Sequence, residues 1–216
     1  MDIGLYTLKY PFRKLIGFLI PWFKNSNPNN ISWFLVVIGL LMSTCYWFAL
    51  NANITSLLWF GIALGFVRMI VATLDGLVAI EYKKSSTLGD LINRLTPEIC
   101  DLLLYPVLVI ATRHLDILGM SVLTMSWAIS YFGLLGVASG CPIQSVGPTG
   151  QTDRLAALML FSFFQIVGDG FGWKVHFFDI FFYWILIGGV LTLWLRWHRS
   201  FRAAQEKDKN IGKSIH

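Results

Sequence analysis

Long apolar stretches with few charges constrain this chain more than any other feature of its sequence. A membrane-spanning helix needs about 20 mostly apolar residues, and six stretches of the sequence meet that description. They are approximately residues 31–50, 56–80, 88–112, 117–138, 154–169 and 176–196. Only 13% of the residues are charged, against about 25% in soluble domains. A chain of 216 residues cannot enclose six apolar helices in a polar shell, so the sequence predicts an all-α, polytopic membrane protein.

The distribution of lysine and arginine predicts the orientation of these helices. If the amino terminus lies in the cytoplasm, 13 of the 17 Lys and Arg residues fall in cytoplasmic segments. The outer loops then carry Arg113 and Lys174. Because basic residues concentrate on the cytoplasmic side of membrane proteins, we expect both termini to be cytoplasmic.

The chain divides into three parts around the apolar stretches. Residues 1–30 form a cytoplasmic amino terminus, in which residues 11–22 are apolar, flanked by basic residues and typical of an interfacial amphipathic helix. The alternative is that residues 11–22 are a frayed start to the first span. Residues 31–196 form the six-helix membrane domain. Residues 197–216 form a basic cytoplasmic tail that suits anionic membrane lipids, and no nucleic-acid partner is needed to explain its charge.

Polar side chains inside the predicted spans carry the functional signal, because such residues are costly in a membrane. Asp75 lies about 7 Å below the cytoplasmic end of its span, at a rise of about 1.5 Å per residue. Asn93 lies at a similar depth on the next span. Gly76, Ala79 and Gly89 leave space beside them. Together they predict a pocket open to the cytoplasm. Simple helix packing around one helix-end aspartate is the alternative.

Other charged residues in the spans are expected to pair. Arg68 lies about 18 Å and Asp101 about 20 Å from the cytoplasmic ends of their spans, so each can neutralise the other. Asp90 and Arg94 are spaced for an ion pair on one helix face. Glu98 follows a proline that can kink the third span, and it is a candidate catalytic residue or a structural one.

The residues of this pocket resemble the signature of the CDP-alcohol phosphatidyltransferase family. The family pattern is Asp-x2-Asp-Gly-x2-Ala-Arg-x8-Gly-x3-Asp-x3-Asp. This chain has Asp75-Gly76-x2-Ala79 and, after nine residues, Gly89-x3-Asn93. The remaining positions differ: the first aspartate is Ala72, the arginine is Ile80, the third aspartate is Asn93 and the fourth is Pro97.

Two further segments extend the resemblance over most of the chain. Residues 27–32 resemble the Pro-Asn-x-x-Thr stretch before the family's first span, and residues 147–154 resemble a loop before the fifth span. The resemblance implies six transmembrane helices after an interfacial helix. It also implies transfer of a substituted phosphate from a CDP-linked donor, of the CDP-diacylglycerol type, to an alcohol with release of CMP, as in phospholipid biosynthesis.

The resemblance also implies the site residues and the cofactor. The metal would be Mg²⁺ or Mn²⁺, bound weakly or lost, with Asp75 and Asn93 as its ligands. The donor-binding residues would be Asp75, Gly76, Ala79, Gly89, Asn93, Asp153 and Arg154, with Asp153 and Arg154 at the mouth of the pocket. Partners would be the CDP-linked lipid, an alcohol and membrane lipids, and a homodimer is a candidate assembly.

The missing aspartates leave a second class of function open. A catalytically degenerate member of the family would bind a lipid or nucleotide, or scaffold a partner enzyme, without transferring phosphate. A transporter or channel is disfavoured, because the charged residues cluster at one cytoplasmic mouth instead of following a path across the membrane.

Overall fold

The computed structural model describes residues 9–214, and these form an α-helical bundle without a strand. The helices are α1 (Lys9–Ile16), α2 (Pro28–Asn51), α3 (Leu57–Glu81), α4 (Thr87–Ala111), α5 (Ile117–Leu134), α6 (Gln151–Gly170) and α7 (Phe177–Ser214). Two 3-10 segments, Gly17–Phe23 and Leu135–Ser139, continue α1 and α5. The all-α prediction is confirmed, and each apolar stretch of the sequence has become one of the helices α2 to α7.

Four of these helices are long and apolar enough to cross a membrane, namely α2, α3, α5 with its extension to Val137, and α7. They indicate an integral membrane protein. Charged residues interrupt α4 and α6, which include Asp90, Asp101, Asp153 and Arg154. Six spans, the orientation and the interfacial position of α1 therefore stay predictions.

Side-chain caps fix where several helices begin. The Asn27 side chain accepts a 3.0 Å hydrogen bond from the Asn29 amide, and Pro28 takes the first helical position of α2. The Ser86 hydroxyl caps α4 by accepting from the Gly89 amide at 3.0 Å. The Asp116 carboxylate caps α5 in the same way. Such caps satisfy amides that have no partner inside the helix.

The last helix extends further than the sequence predicted. The apolar stretch ends at residue 196, yet α7 continues to Ser214. Its extension contains Ala203, Ala204, Gln205 and neighbouring charged residues that favour helix, with neither Gly nor Pro before Gly212. The tail from residue 197 is therefore helical throughout its described part. Charged residues can end a membrane span without ending the helix.

Helix α2 is the central element beside the signature residues. It packs along both α3 and α4, whereas α3 and α4 make few contacts with each other. A Cβ atom at Gly39 would lie only 2.7 Å from the Cys100 Sγ, so glycine at this position is what lets α2 and α4 approach so closely. Helix α2 therefore holds α3 and α4 in position relative to each other.

The amino-terminal helix presents an apolar surface to the outside. Leu15, Phe18 and Trp22 are exposed, while Ile16 is buried. This arrangement is consistent with the predicted interfacial helix, since a membrane boundary would cover the exposed apolar side chains.

Candidate functional site

A cavity of about 580 Å³ lies near the end of α3 and the start of α4, the side that the distribution of basic residues predicts to be cytoplasmic. Helices α1 and α3 to α7, together with the loop after α5, contribute to its wall. Its charged lining residues are Arg68, Asp90, Arg94, Glu98, Asp153 and Arg196. Its volume lies within the usual range for small-molecule binding pockets, and its lining residues carry charges of both signs.

The positions of the family's aspartates lie at this cavity, but without carboxylates. Ala72, Asn93 and Pro97 all line it, and they stand where the first, third and fourth aspartates of the signature would be. Asp75, which stands at the second position, is 2% exposed and is not among the lining residues. The surviving carboxylate is therefore buried and outside the cavity lining.

Asp75 is held by groups of the protein itself. The Ser32 hydroxyl on α2 donates a 2.5 Å hydrogen bond to Oδ2 of Asp75, and the Gly76 amide donates a 2.6 Å hydrogen bond to Oδ1. Both oxygens of the carboxylate thus accept hydrogen bonds from neutral donors. Ser32 lies one turn after Pro28, so the start of α2 sets the surroundings of Asp75.

The small residues of the signature have different neighbours from one another. A Cβ atom at Gly76 would lie 3.8 Å from Asn93 Nδ2, so Gly76 and Asn93 are adjacent as expected. A Cβ atom at Gly89 would lie 3.0 Å from Asn29 Oδ1, which places Gly89 against the start of α2. Ala79 is half-buried and outside the cavity lining.

A divalent metal does not fit the donors that these residues offer. Mg²⁺ takes an octahedral set of oxygen ligands, usually including carboxylates. Ala72 and Pro97 offer no side-chain oxygen, Asn93 offers one neutral oxygen, and Asp75 lies outside the cavity lining. Within residues 9–214, no group of three or more His, Cys, Asp or Glu side chains is placed to hold a metal ion.

A buried ion network lies beneath the cavity. Arg68 donates a 2.6 Å hydrogen bond to Asp101 Oδ1, which confirms the pair predicted from depth. Arg154 donates a 2.9 Å hydrogen bond to Asp101 Oδ2, so one carboxylate neutralises part of the charge of two arginines. Arg154 is 1% exposed. The expectation that it lies at the pocket mouth is wrong, because its side chain turns inward to Asp101 and to the carbonyl of Thr149.

Three acidic residues do reach the cavity, namely Asp90, Glu98 and Asp153. Glu98 is half-buried, lines the cavity and accepts a 3.3 Å hydrogen bond from Gln151 Nε2. Asp153 is buried in the first turn of α6 and also lines the cavity. Asp90 and Arg94 form the predicted ion pair at 2.7 Å on the partly exposed start of α4.

Arg196 is the cavity residue that sequence reasoning missed. It is the last residue of the predicted span 176–196, yet it is 5% exposed and lines the cavity. Its Nε atom donates to the Val146 carbonyl at 3.0 Å, and its Nη1 atom donates to the Ile129 carbonyl. A basic residue at the end of an apolar span is common, so the sequence position of Arg196 does not show that it lines a cavity.

Comparisons with known proteins place the fold. No protein-family model matches the sequence, and no curated protein matches it. The structure is similar to the crystal structure of Mycobacterium tuberculosis phosphatidylinositol phosphate synthase with CDP-DAG bound. The TM-score is 0.66 with 18% sequence identity, over 87% of this chain and 92% of that chain. The two proteins share a fold. The chain therefore has a CDP-alcohol phosphatidyltransferase-like fold.

Proposed function

We propose that the protein binds a CDP-linked lipid of the CDP-diacylglycerol type in the cytoplasmic cavity and transfers its lipid-bearing phosphate to an alcohol, releasing CMP. The single observation that carries this proposal is the position of the cavity. Ala72, Asn93 and Pro97, which are signature positions of the phosphatidyltransferase family, line it. The solved structure of the same fold has CDP-DAG bound.

Glu98 is the residue we propose as the general base. Pro97 occupies the signature position of the last aspartate, and the adjacent Glu98 carboxylate lines the same cavity. Its Oε1 accepts from Gln151, so the carboxylate is oriented by α6. A positioned general base typically contributes about 10²–10⁴ to the rate.

The proposed step uses this chain's own residues. The Glu98 carboxylate takes the proton from the alcohol hydroxyl, and the alcohol oxygen attacks the phosphorus that bears the lipid. A new O–P bond forms as the bond from that phosphorus to the CMP oxygen breaks, and its electron pair leaves with CMP. Glu98 then returns its proton to solvent. The arginines of the cavity stabilise the phosphate charge.

A second candidate function is supported by a specific observation. This chain has Ala72 and Pro97 where the signature has aspartates, so two carboxylates are missing from the cavity. The remaining carboxylate, that of Asp75, accepts a hydrogen bond from Ser32. A site so altered suits a membrane protein that binds a CDP-linked lipid without transferring its phosphate. Binding and turnover distinguish the two candidates, because the second predicts binding alone.

Release of CMP tests the proposal. The full chain, purified in detergent, is incubated with CDP-diacylglycerol and a panel of alcohols, and CMP is quantified by chromatography. We expect alcohol-dependent CMP release that falls about 10²–10⁴-fold in Glu98→Gln. Arg202→Gln, on the exposed extension of α7, is the control and is expected to match the wild type. Binding of CDP-diacylglycerol without CMP release would replace the transferase with the binding protein.

A further inference from the structure

Resting on the proposed function, we infer that the cavity holds the phosphate groups of its ligand through arginine side chains, with Arg196 foremost, and without a bridging divalent cation. The family's signature has four aspartates, and this chain keeps only one of them, Asp75. Asp75 accepts hydrogen bonds on both oxygens, from Ser32 and Gly76, and lies outside the cavity lining.

The cavity has lost negative charge where the signature places it. Ala72, Asn93 and Pro97 are uncharged, so these three positions place no carboxylate beside a diphosphate. Other parts of the cavity are lined by three acidic residues, Asp90, Glu98 and Asp153. Phosphate binds well to guanidinium groups, which offer several N–H donors in a plane and stay charged at any physiological pH. Arginine side chains at this wall can therefore bind a phosphate group directly.

Arg196 is suited to this role by its surroundings. Arg196 is 5% exposed as a residue, and it lines the cavity. Nε and Nη1 donate to the main-chain carbonyls of Val146 and Ile129, which are neutral acceptors that hold the side chain in place. These two hydrogen bonds leave the positive charge of the guanidinium available to an anion, and the nearby Asp153 carboxylate is the charge that opposes it.

A second arginine and the start of α6 lie on the same wall. Arg68 is 2% exposed and lines the cavity, and its buried Nη1 atom has no hydrogen-bond partner within the described residues. Gly150 and Gln151, at the start of α6, also line the cavity. The first amides of a helix have no partner within it and favour anions.

Asp153 opposes this attraction and so provides a test of it. It lines the cavity in the first turn of α6, and a Cβ atom at Gly150 would lie 2.7 Å from its Oδ2 and 3.6 Å from Arg196 Nη2. The Asp153 carboxylate is thus close to Arg196, the residue proposed to bind the phosphate groups. Replacing Asp153 with asparagine is expected to tighten binding of an anionic ligand, because it removes a repelling charge.

The experiment measures CDP-diacylglycerol binding to the full chain in mixed detergent micelles, in excess EDTA and in excess MgCl₂. Elution from a size-exclusion column checks that each variant is folded. We expect the affinity in EDTA to equal that in MgCl₂ within about twofold. Arg196→Gln is expected to weaken binding about ten- to hundredfold, as loss of a hydrogen bond to a charged group does. Arg202→Gln, which lies outside the cavity lining, is expected to leave binding unchanged.

Further variants keep the test decisive if Arg196→Gln does not fold. Asp75→Asn is expected to bind like the wild type in both solutions, and Asp153→Asn is expected to bind more tightly. Binding that requires Mg²⁺, or that Asp75→Asn abolishes, would overturn the inference while leaving the proposed function standing. Unchanged binding by folded Arg196→Gln would overturn it too. Absence of binding in both solutions would reject the proposed function, and the inference with it.

Discussion

The Ser32 hydroxyl on α2 donates a 2.5 Å hydrogen bond to the Asp75 carboxylate on α3. Both side chains are buried, with Ser32 3% and Asp75 2% exposed. The single carboxylate that survives from the signature is therefore tied to the neighbouring helix by a neutral donor.

Removing the Ser32 hydroxyl should destabilise the protein. Ser32→Ala deprives a buried carboxylate of a short hydrogen bond, which typically costs about 1–3 kcal/mol. Thermal denaturation of the detergent-solubilised protein would measure the loss as a lower melting temperature. Ser56→Ala is the matched control, because Ser56 is exposed and makes no side-chain cap at the start of α3. Equal melting temperatures for Ser32→Ala and the wild type would contradict the assignment.

The ion network should respond most strongly to loss of its shared acid. Asp101→Ala leaves both Arg68 and Arg154 without their carboxylate, whereas Arg68→Ala leaves Asp101 paired with Arg154. Breaking a buried pair costs about 3–5 kcal/mol, so we expect Asp101→Ala to be the more destabilising of the two. The double variant Arg68→Ala/Asp101→Ala should lose less free energy of unfolding than the two single variants lose in total.

Reversible unfolding in mixed micelles would measure these free energies. Arg94→Ala is the control, because its pair with Asp90 is partly exposed and exposed pairs contribute about 0–1 kcal/mol. Strict additivity of Arg68→Ala and Asp101→Ala would show that the two side chains do not interact.

The contact between α2 and α4 depends on a glycine. Gly39→Ala places a methyl group 2.7 Å from Cys100 Sγ and 3.2 Å from its Cα, so the helices must separate. Overpacking of this kind typically costs about 1–3 kcal/mol. Gly170→Ala is the control, because a Cβ atom there has nothing within 4 Å. Equal thermal stability of the two variants would argue against close packing of α2 on α4.

The sequence predicted the helices better than it predicted their partners. Apolar stretches of sufficient length located α2 to α7, because a helix satisfies the backbone hydrogen bonds of a long apolar stretch internally. Depth along the spans predicted the Arg68–Asp101 pair, since two charges at one depth need each other. The extension of α7 was missed, because the end of an apolar stretch marks the membrane boundary and not the end of a helix.

The contacts of Ser32, Arg154 and Arg196 could not be predicted in the same way. A span is apolar both where it faces lipid and where it faces protein, so periodicity does not reveal that α2 lies against both α3 and α4. The partner of Arg154 depends on the rotation of α6 about its axis. Arg196 follows an apolar span, a position at which basic residues are ordinary, and the structure alone places it at the cavity.

The orientation rests on the distribution of basic residues and can be tested by labelling. We expect a cysteine at Lys209 to react with a membrane-impermeant maleimide only after the membrane is opened. A cysteine at Asn53, in the loop between α2 and α3, should react in intact cells. The comparison requires a background without Cys45, Cys100 and Cys141. Labelling of position 209 in intact cells would place the carboxyl terminus outside and contradict the assignment.

An experimental structure of the protein with CDP-diacylglycerol tests the proposed ligand and its site most directly. We expect density for the cytidine diphosphate group inside the cavity lined by Ala72, Asn93 and Glu98, with a phosphate oxygen in hydrogen-bond contact with Arg196. An empty cavity at saturating ligand, or a nucleotide bound elsewhere on the protein, would contradict it.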